Sequence, residues 1–243
     1  MRLPAMMLLI CTAALLGGCE HAPGFPPNPI LRPADVNDFA TLYGENCAAC
    51  HGANGQNGAA IDLANPEYQA LVDDGTLRKW ISGGMPGTEM PAFAQSDGGM
   101  LTDAQVNALI AGMRREWARP NAFGEAAQPS YAEAQMGDAH RGGVSYQARC
   151  AGCHEASQQQ VTSPVYLALI GDQALRSIII AGRPDIGQPD WRHDGPGGKS
   201  AAPLSAQEVD DIVTYLGTLR NPAQQVAANA GSGQPAKNAA SGR

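Results

Sequence analysis

Two short motifs, Cys47-Ala-Ala-Cys50-His51 and Cys150-Ala-Gly-Cys153-His154, stand 103 residues apart and constrain this chain more than any other feature it has. The C-x-x-C-H spacing puts two thiols on one side of a helical turn, where they can bond the two vinyl groups of a haem, and sets the next imidazole under the iron. A structural zinc site would need four ligands, and a thioredoxin-like dithiol would sit in a strand-helix-strand context that is missing here. The motifs predict two covalently bound haem c groups. Cys47, Cys50, Cys150 and Cys153 attach them, and His51 and His154 are the proximal iron ligands.

The other cysteines have separate fates. Cys11 lies in an apolar run from Ala5 to Leu16 behind Met1-Arg2, which reads as a secretory signal peptide too short to span a bilayer. The segment Leu16-Gly17-Gly18-Cys19 resembles a bacterial lipobox, with cleavage before Cys19 and acylation of the new terminus; the alternative is an ordinary cleavage site beside a chance cysteine. Four cysteines then serve two haems, and no disulfide is expected. His21 to Pro33 holds five prolines and suits an extended tether, so residues 19–34 are expected to form a lipid-anchored, proline-rich leader. An exported protein on the periplasmic face is implied. By resemblance to bacterial lipoproteins, Glu20 directs sorting to the outer membrane where the host has one.

An internal repeat divides the remainder in two. At an offset of 103, Tyr43 meets Tyr146 and Leu101-Thr102 meets Leu204-Ser205; at 98, Leu77-Arg78 meets Leu175-Arg176, Gly84 meets Gly182, Pro86 meets Pro184 and Pro91 meets Pro189. Each copy reads as helices. Asn65-Pro66 and Ser163-Pro164 look like N-caps with proline at the first helical position, and further helices begin near Thr76 and Asp172. Val106, Leu109, Ile110, Met113 and Trp117 form one apolar stripe, and Val209, Ile212, Val213, Leu216 and Leu219 another, the second opened by a Ser205–Glu208 capping box. The expected division is domain 1 over 35–119, a linker over 120–137, domain 2 over 138–220 and a low-complexity tail over 221–243. Aromatic residues make up only 5 % of the chain, so porphyrin is expected to supply missing core and neither domain to fold stably without it.

On these motifs, together with the segment Gly83 to Phe93 and the closing helices, both halves resemble class I cytochrome c domains, and the whole resembles a dihaem cytochrome c lipoprotein of bacterial respiratory chains. The resemblance implies an all-α fold, two tandem domains each wrapped around a covalent haem. It also implies a methionine followed by proline on the far side of the iron, just before the last helix, and Met90 fits. A thioether suits haem iron and raises its potential. Met85 is the rival, but the repeat aligns it with Arg183; Met100 abuts the last helix.

The second half departs from that pattern. Gln188 stands where Met90 stands, and no methionine follows Met136. His193 is the favoured sixth ligand there, with an open or water-bound iron, Lys199 and Gln188 as alternatives. His140 reads as a solvated helix-start residue. Arg183, Arg192 and Trp191 offer donors to haem propionates or else are exposed loop residues.

The net charge of −7 includes no basic patch of the kind nucleic acid requires. It suits docking to a basic surface on a redox partner. The expected function is single-electron transfer, as a carrier or subunit between a membrane respiratory complex and a soluble cytochrome or oxidase. The alternative is a peroxidase-like enzyme with an open position on the second haem.

Overall fold

The computed structural model describes residues 31–133, 136–155, 161–193 and 202–220. Residues 31–36 belong to a unit separate from the rest and form one 3-10 turn, Pro33–Asp35, closed by an Arg32–Asp35 ion pair at 2.7 Å. The rest, from Asn37, forms the second unit. Cys19, the signal segment, Lys199 and the tail lie outside the described residues.

Each half of the second unit is built from the same five helices. Asp38 accepts the Thr41 N–H and so starts α1 (Phe39–Asn46), which leads into the single turn α2 (Ala48–His51). The chain breaks between them at Cys47, with φ −119° and ψ −35°. The second copy repeats this: Asp138 caps α6 (Ala139–Arg149), Cys150 has φ −119° and ψ −39°, and α7 (Ala151–His154) follows. In each copy the haem-attachment segment is therefore two helical pieces that meet at its first cysteine.

Asn65 caps α3 (Pro66–Leu71) as expected, accepting from the N–H groups of Glu67 and Tyr68. Ser163, before α8 (Pro164–Leu169), makes no such bond. The next helix, α4 (Asp74–Gly83), begins ahead of Thr76 because Asp73 caps it through the Thr76 N–H at 2.7 Å; α9 (Asp172–Ala181) begins where expected. The final helices are α5 (Asp103–Trp117) and α10 (Ala206–Leu219), and both open with capping boxes, Thr102–Gln105 and Ser205–Glu208. Both stripes face the interior: Val106 and Val209 are wholly buried, and of the ten residues only Trp117 is partly exposed. No strand occurs among the described residues, only two isolated bridges, so the fold is all-α.

The first and last helices of each copy cross closely. A Cβ on Gly142 of α6 would stand 1.9 Å from the Asp211 carbonyl oxygen of α10, so only glycine allows that approach.

The two halves share their cores. Leu71 of α3 packs in the second cluster, Ala181 of α9 in the first, and Tyr131 touches both. The expected linker is thus a brace in its described part. Phe123 is buried edge-on to Trp191, and Trp80 Nε1 donates to the Tyr131 hydroxyl at 2.9 Å. Asn65 adds a polar tie, its Nδ2 donating to the Ala181 and Gly182 carbonyls at 2.8 and 3.3 Å. Because Asn65 is both cap and tie, Asn65→Ala is expected to cost about 2–3 kcal/mol, a cap plus one or two buried hydrogen bonds. Chemical denaturation checks this, and a loss below about 1 kcal/mol would show that the tie contributes nothing.

Candidate functional site

The two C-x-x-C-H turns are backbone copies, and each presents its first cysteine half-buried and its second exposed. His51 Nδ1 lies 2.9 Å from the Ile61 carbonyl oxygen. An Nδ1–H donated there leaves Nε2 free as the metal-binding nitrogen. Burial holds His51 below its ordinary pKa, the Ile61 bond opposing it and the Arg183 charge assisting it, so the imidazole is neutral and fit to ligate. The Tyr43 hydroxyl donates to the Gly52 carbonyl at 2.9 Å and pins the end of the same turn.

In the second copy, burial likewise lowers the pKa of His154. Its Nδ1 and the Tyr146 hydroxyl are buried with no hydrogen-bond partner among the described residues. The repeat places their counterparts, His51 Nδ1 and the Tyr43 hydroxyl, on the loop after the first motif. Residues 156–160, which begin the corresponding loop, lie outside the description.

Beyond each α4 or α9 helix comes the loop expected to supply the sixth ligand. Gly84 has φ +70° and Gly182 φ +73°. A Cβ on Gly84 would crowd the backbone of Met90, Pro91 and Ala92, and one on Gly182 that of Gln188, Pro189 and Asp190, at 2.7–2.9 Å. The Met85 N–H donates to the Met90 carbonyl at 3.0 Å, and the Arg183 N–H to that of Gln188 at 2.9 Å. Met90 and Gln188 therefore occupy one backbone position. Met90 is half-buried against the first core, whereas Met100 is 81 % exposed and stands away from it.

The second half opens a cleft of about 110 Å3, lined by Cys150, Cys153 and His154 and by apolar side chains such as Leu175, Trp191 and Leu216. Gln188 and His193 also line it. The Gln188 amide donates to the Ile178 carbonyl at 3.3 Å. His193 is 58 % exposed at its side chain, with Nδ1 3.2 Å from Asp190 Oδ1, which leaves Nε2 free. Burial works against ionisation of Asp190, but hydrogen bonds from Arg192 outweigh it and hold the carboxyl below the usual range. The signal for Asp190 in the sequence is its place three residues before His193. His140 is exposed, as expected of a helix-start residue.

Arg183 and Arg192, expected at propionates or in exposed loops, are not exposed and brace the two halves. Arg183 clamps Asp185 at 2.7 and 2.8 Å and donates to the Ala60 and Gly58 carbonyls of the loop that holds His51. Asp185 in turn accepts the Asn57 N–H at 2.8 Å. Within that loop, burial pushes the Asp62 carboxyl up to about 6, Asp185 adding to the effect and Arg183 opposing it. Arg192 joins Asp190, Glu67 and the Phe123 carbonyl, and its guanidinium lies over the Trp191 ring.

Paired thiols beside a neutral imidazole fit covalent haem in both halves: in the first the imidazole is oriented by Ile61, and in the second an apolar cleft stands over the thiols. Such a fold and site define a c-type cytochrome. The chain matches the family described as cytochrome C oxidase, cbb3-type, subunit III, over residues 34–111, and the cytochrome c family over residues 139–220. Over 70 residues it is 39 % identical to a dihydro-heme d1 dehydrogenase of Pseudomonas aeruginosa, a stretch covering 29 % of this chain and only 13 % of that protein. Both halves are cytochrome c-type domains, and the protein is a dihaem c-type cytochrome with two covalently bound haem c groups.

Proposed function

We propose that this chain is a lipid-anchored, periplasm-facing electron-transfer subunit of a bacterial respiratory assembly, with domains bounded at about residues 35–119 and 138–220. The observation that carries it is the bracing of one half on the other: Arg183 of the second copy's ligand loop grips the carbonyls beside Ile61, the acceptor for His51. A relay needs its two redox centres held at fixed separation, and these bonds hold them. Haem iron supplies the one-electron chemistry, while the chain attaches, orients and shields it. Partners are redox proteins, a membrane respiratory complex with a soluble cytochrome or oxidase. Likeness to the cbb3-type subunit III family supports the membrane complex. The lipobox-like segment and proline-rich leader support acylation at Cys19, and Cys19→Ser is expected to move the protein from the membrane fraction to the soluble one. Unchanged membrane retention would remove the anchor from this reading.

On the sixth ligands, the reading assigns Met90 to the first iron and His193 to the second. Asp190 supports the latter, because a carboxylate on Nδ1 orients a histidine to ligate through Nε2. The exposure of His193 favours a second reading, an open iron with peroxidase-like activity. Low-temperature electron paramagnetic resonance on the full dihaem protein separates them. A bis-imidazole low-spin signal that disappears in His193→Ala supports transfer alone; a high-spin signal in the unmutated protein supports the enzyme.

A further inference from the structure

The repeat serves as a template for what the second half can bind. Among the residues of the first half that meet the second, Glu67 pairs with Arg192 at 3.1 Å, Leu71 is 5 % exposed within the second core, and Thr88 lies against Gly171. At the offset of 98 that the Gly84 and Gly182 contacts support, their counterparts are Val165, Leu169 and Ile186. All three are apolar, although two replace polar residues, and they stand 75, 57 and 51 % exposed. None of them lines the haem cleft, so covalent haem does not account for them; Tyr166, on the same helix, does line it. Val165 and Leu169, four positions apart, share one face of α8, and exposed apolar side chains grouped in this way mark an interaction surface.

We infer that the α8 face of the second half, Val165, Leu169 and Ile186, docks a cytochrome c domain of another protein, as the α3 face of the first half docks the second half. Packing of this kind is head to tail, so it leaves one end of the stack open. The face that fills α3 is that of α9, with Ser177 and Ala181 buried on it. A second copy of this chain is a poor occupant. Its α9 face is already covered by its own first half, and its α4 carries exposed Lys79 where α9 carries Ser177. Val165, Leu169 and Ile186 offer that ammonium no carboxylate, and an unpaired buried charge is costly. The segment after Arg220 is also a poor occupant, since residues 221–243 hold no aromatic to play the part of Phe123. The partner is therefore a cytochrome domain with small, uncharged residues on the helix before its ligand loop, and it sits beside the second haem.

The test uses the full haem-loaded chain in its native host with a photo-crosslinking benzoylphenylalanine at Leu169. The expected product is an adduct that stains for more covalent haem than this chain alone. Its cross-linked peptide lies on the helix before the ligand loop of a different C-x-x-C-H protein. Placed at Leu71, the probe should give only links within this chain, to residues 172–193. A Leu169 adduct with a second copy, with residues 221–243 or with a haem-free protein overturns the proposal, as does no adduct. In a second arm, Leu169→Glu is expected to slow electron transfer to the purified partner by about tenfold or more, as loss of an apolar contact at an interface centre does. The haem spectrum and melting temperature should stay unchanged, since Leu169 is exposed. An unchanged rate overturns the proposal.

Discussion

Arg176→Ala is expected to lower the stability of the haem-loaded protein by about 3–5 kcal/mol, the range for stripping one partner from a buried ion pair. The guanidinium and the Asp210 carboxylate are paired, with side chains 2 % and 1 % exposed. Arg176 also donates to the carbonyls of Ser130 and Tyr131 at 3.0–3.2 Å, so it joins α9, α10 and the brace between the halves. Alanine removes all of these donors and leaves the Asp210 carboxylate in the interior without its guanidinium. For a domain of this size the melting temperature should fall by about 10 °C, at roughly 2–4 °C for each kcal/mol. The double variant Arg176→Met with Asp210→Leu should recover much of the loss, because apolar replacement of both partners removes the desolvation cost along with the attraction. A loss below about 1 kcal/mol in the single variant would show the pair to be inconsequential.

The second large effect is on potential rather than stability. Met90→Ala should abolish the charge-transfer band of sulfur-ligated ferric haem and lower the potential of the first haem by on the order of 100 mV, within the ~0.8 V span that axial ligands cover. Met90 is only half-buried, so unfolding should change little. Met85→Ala should keep the band. Spectroelectrochemical titration reads both, and the reverse pattern would transfer ligation to Met85. If His193 ligates the second iron as proposed, that haem should titrate lower than the first, and electrons would then pass from the second half to the first.

Much of this was legible in the chain because it is written in short spacings. The haem turns, the two buried stripes and the Ser205–Glu208 box depend on residues within one or a few helical turns of each other. The alignment of Gln188 with Met90 also held, since the glycine preceding each must adopt the same left-handed backbone to let the loop fold back. The helix expected near Thr76 is there, opened by its Asp73 cap, whereas Ser163 occupies the place of a cap without a side-chain bond.

What the sequence by itself determined is the chemistry and the pattern of burial: two haem attachments, helices around each, and a second half lacking methionine. The tertiary structure alone decided which side chains tie the halves together. Arg192 meets Glu67 across 125 positions, Arg183 meets the Ala60 carbonyl across 123, and Asn65 reaches Ala181 across 116. No local spacing encodes such pairs. A guanidinium or an amide will accept any oxygen within reach, and only the packing of α3 on α9 sets which oxygen that is, whereas an apolar side chain on a helix face goes to the core whatever lies opposite.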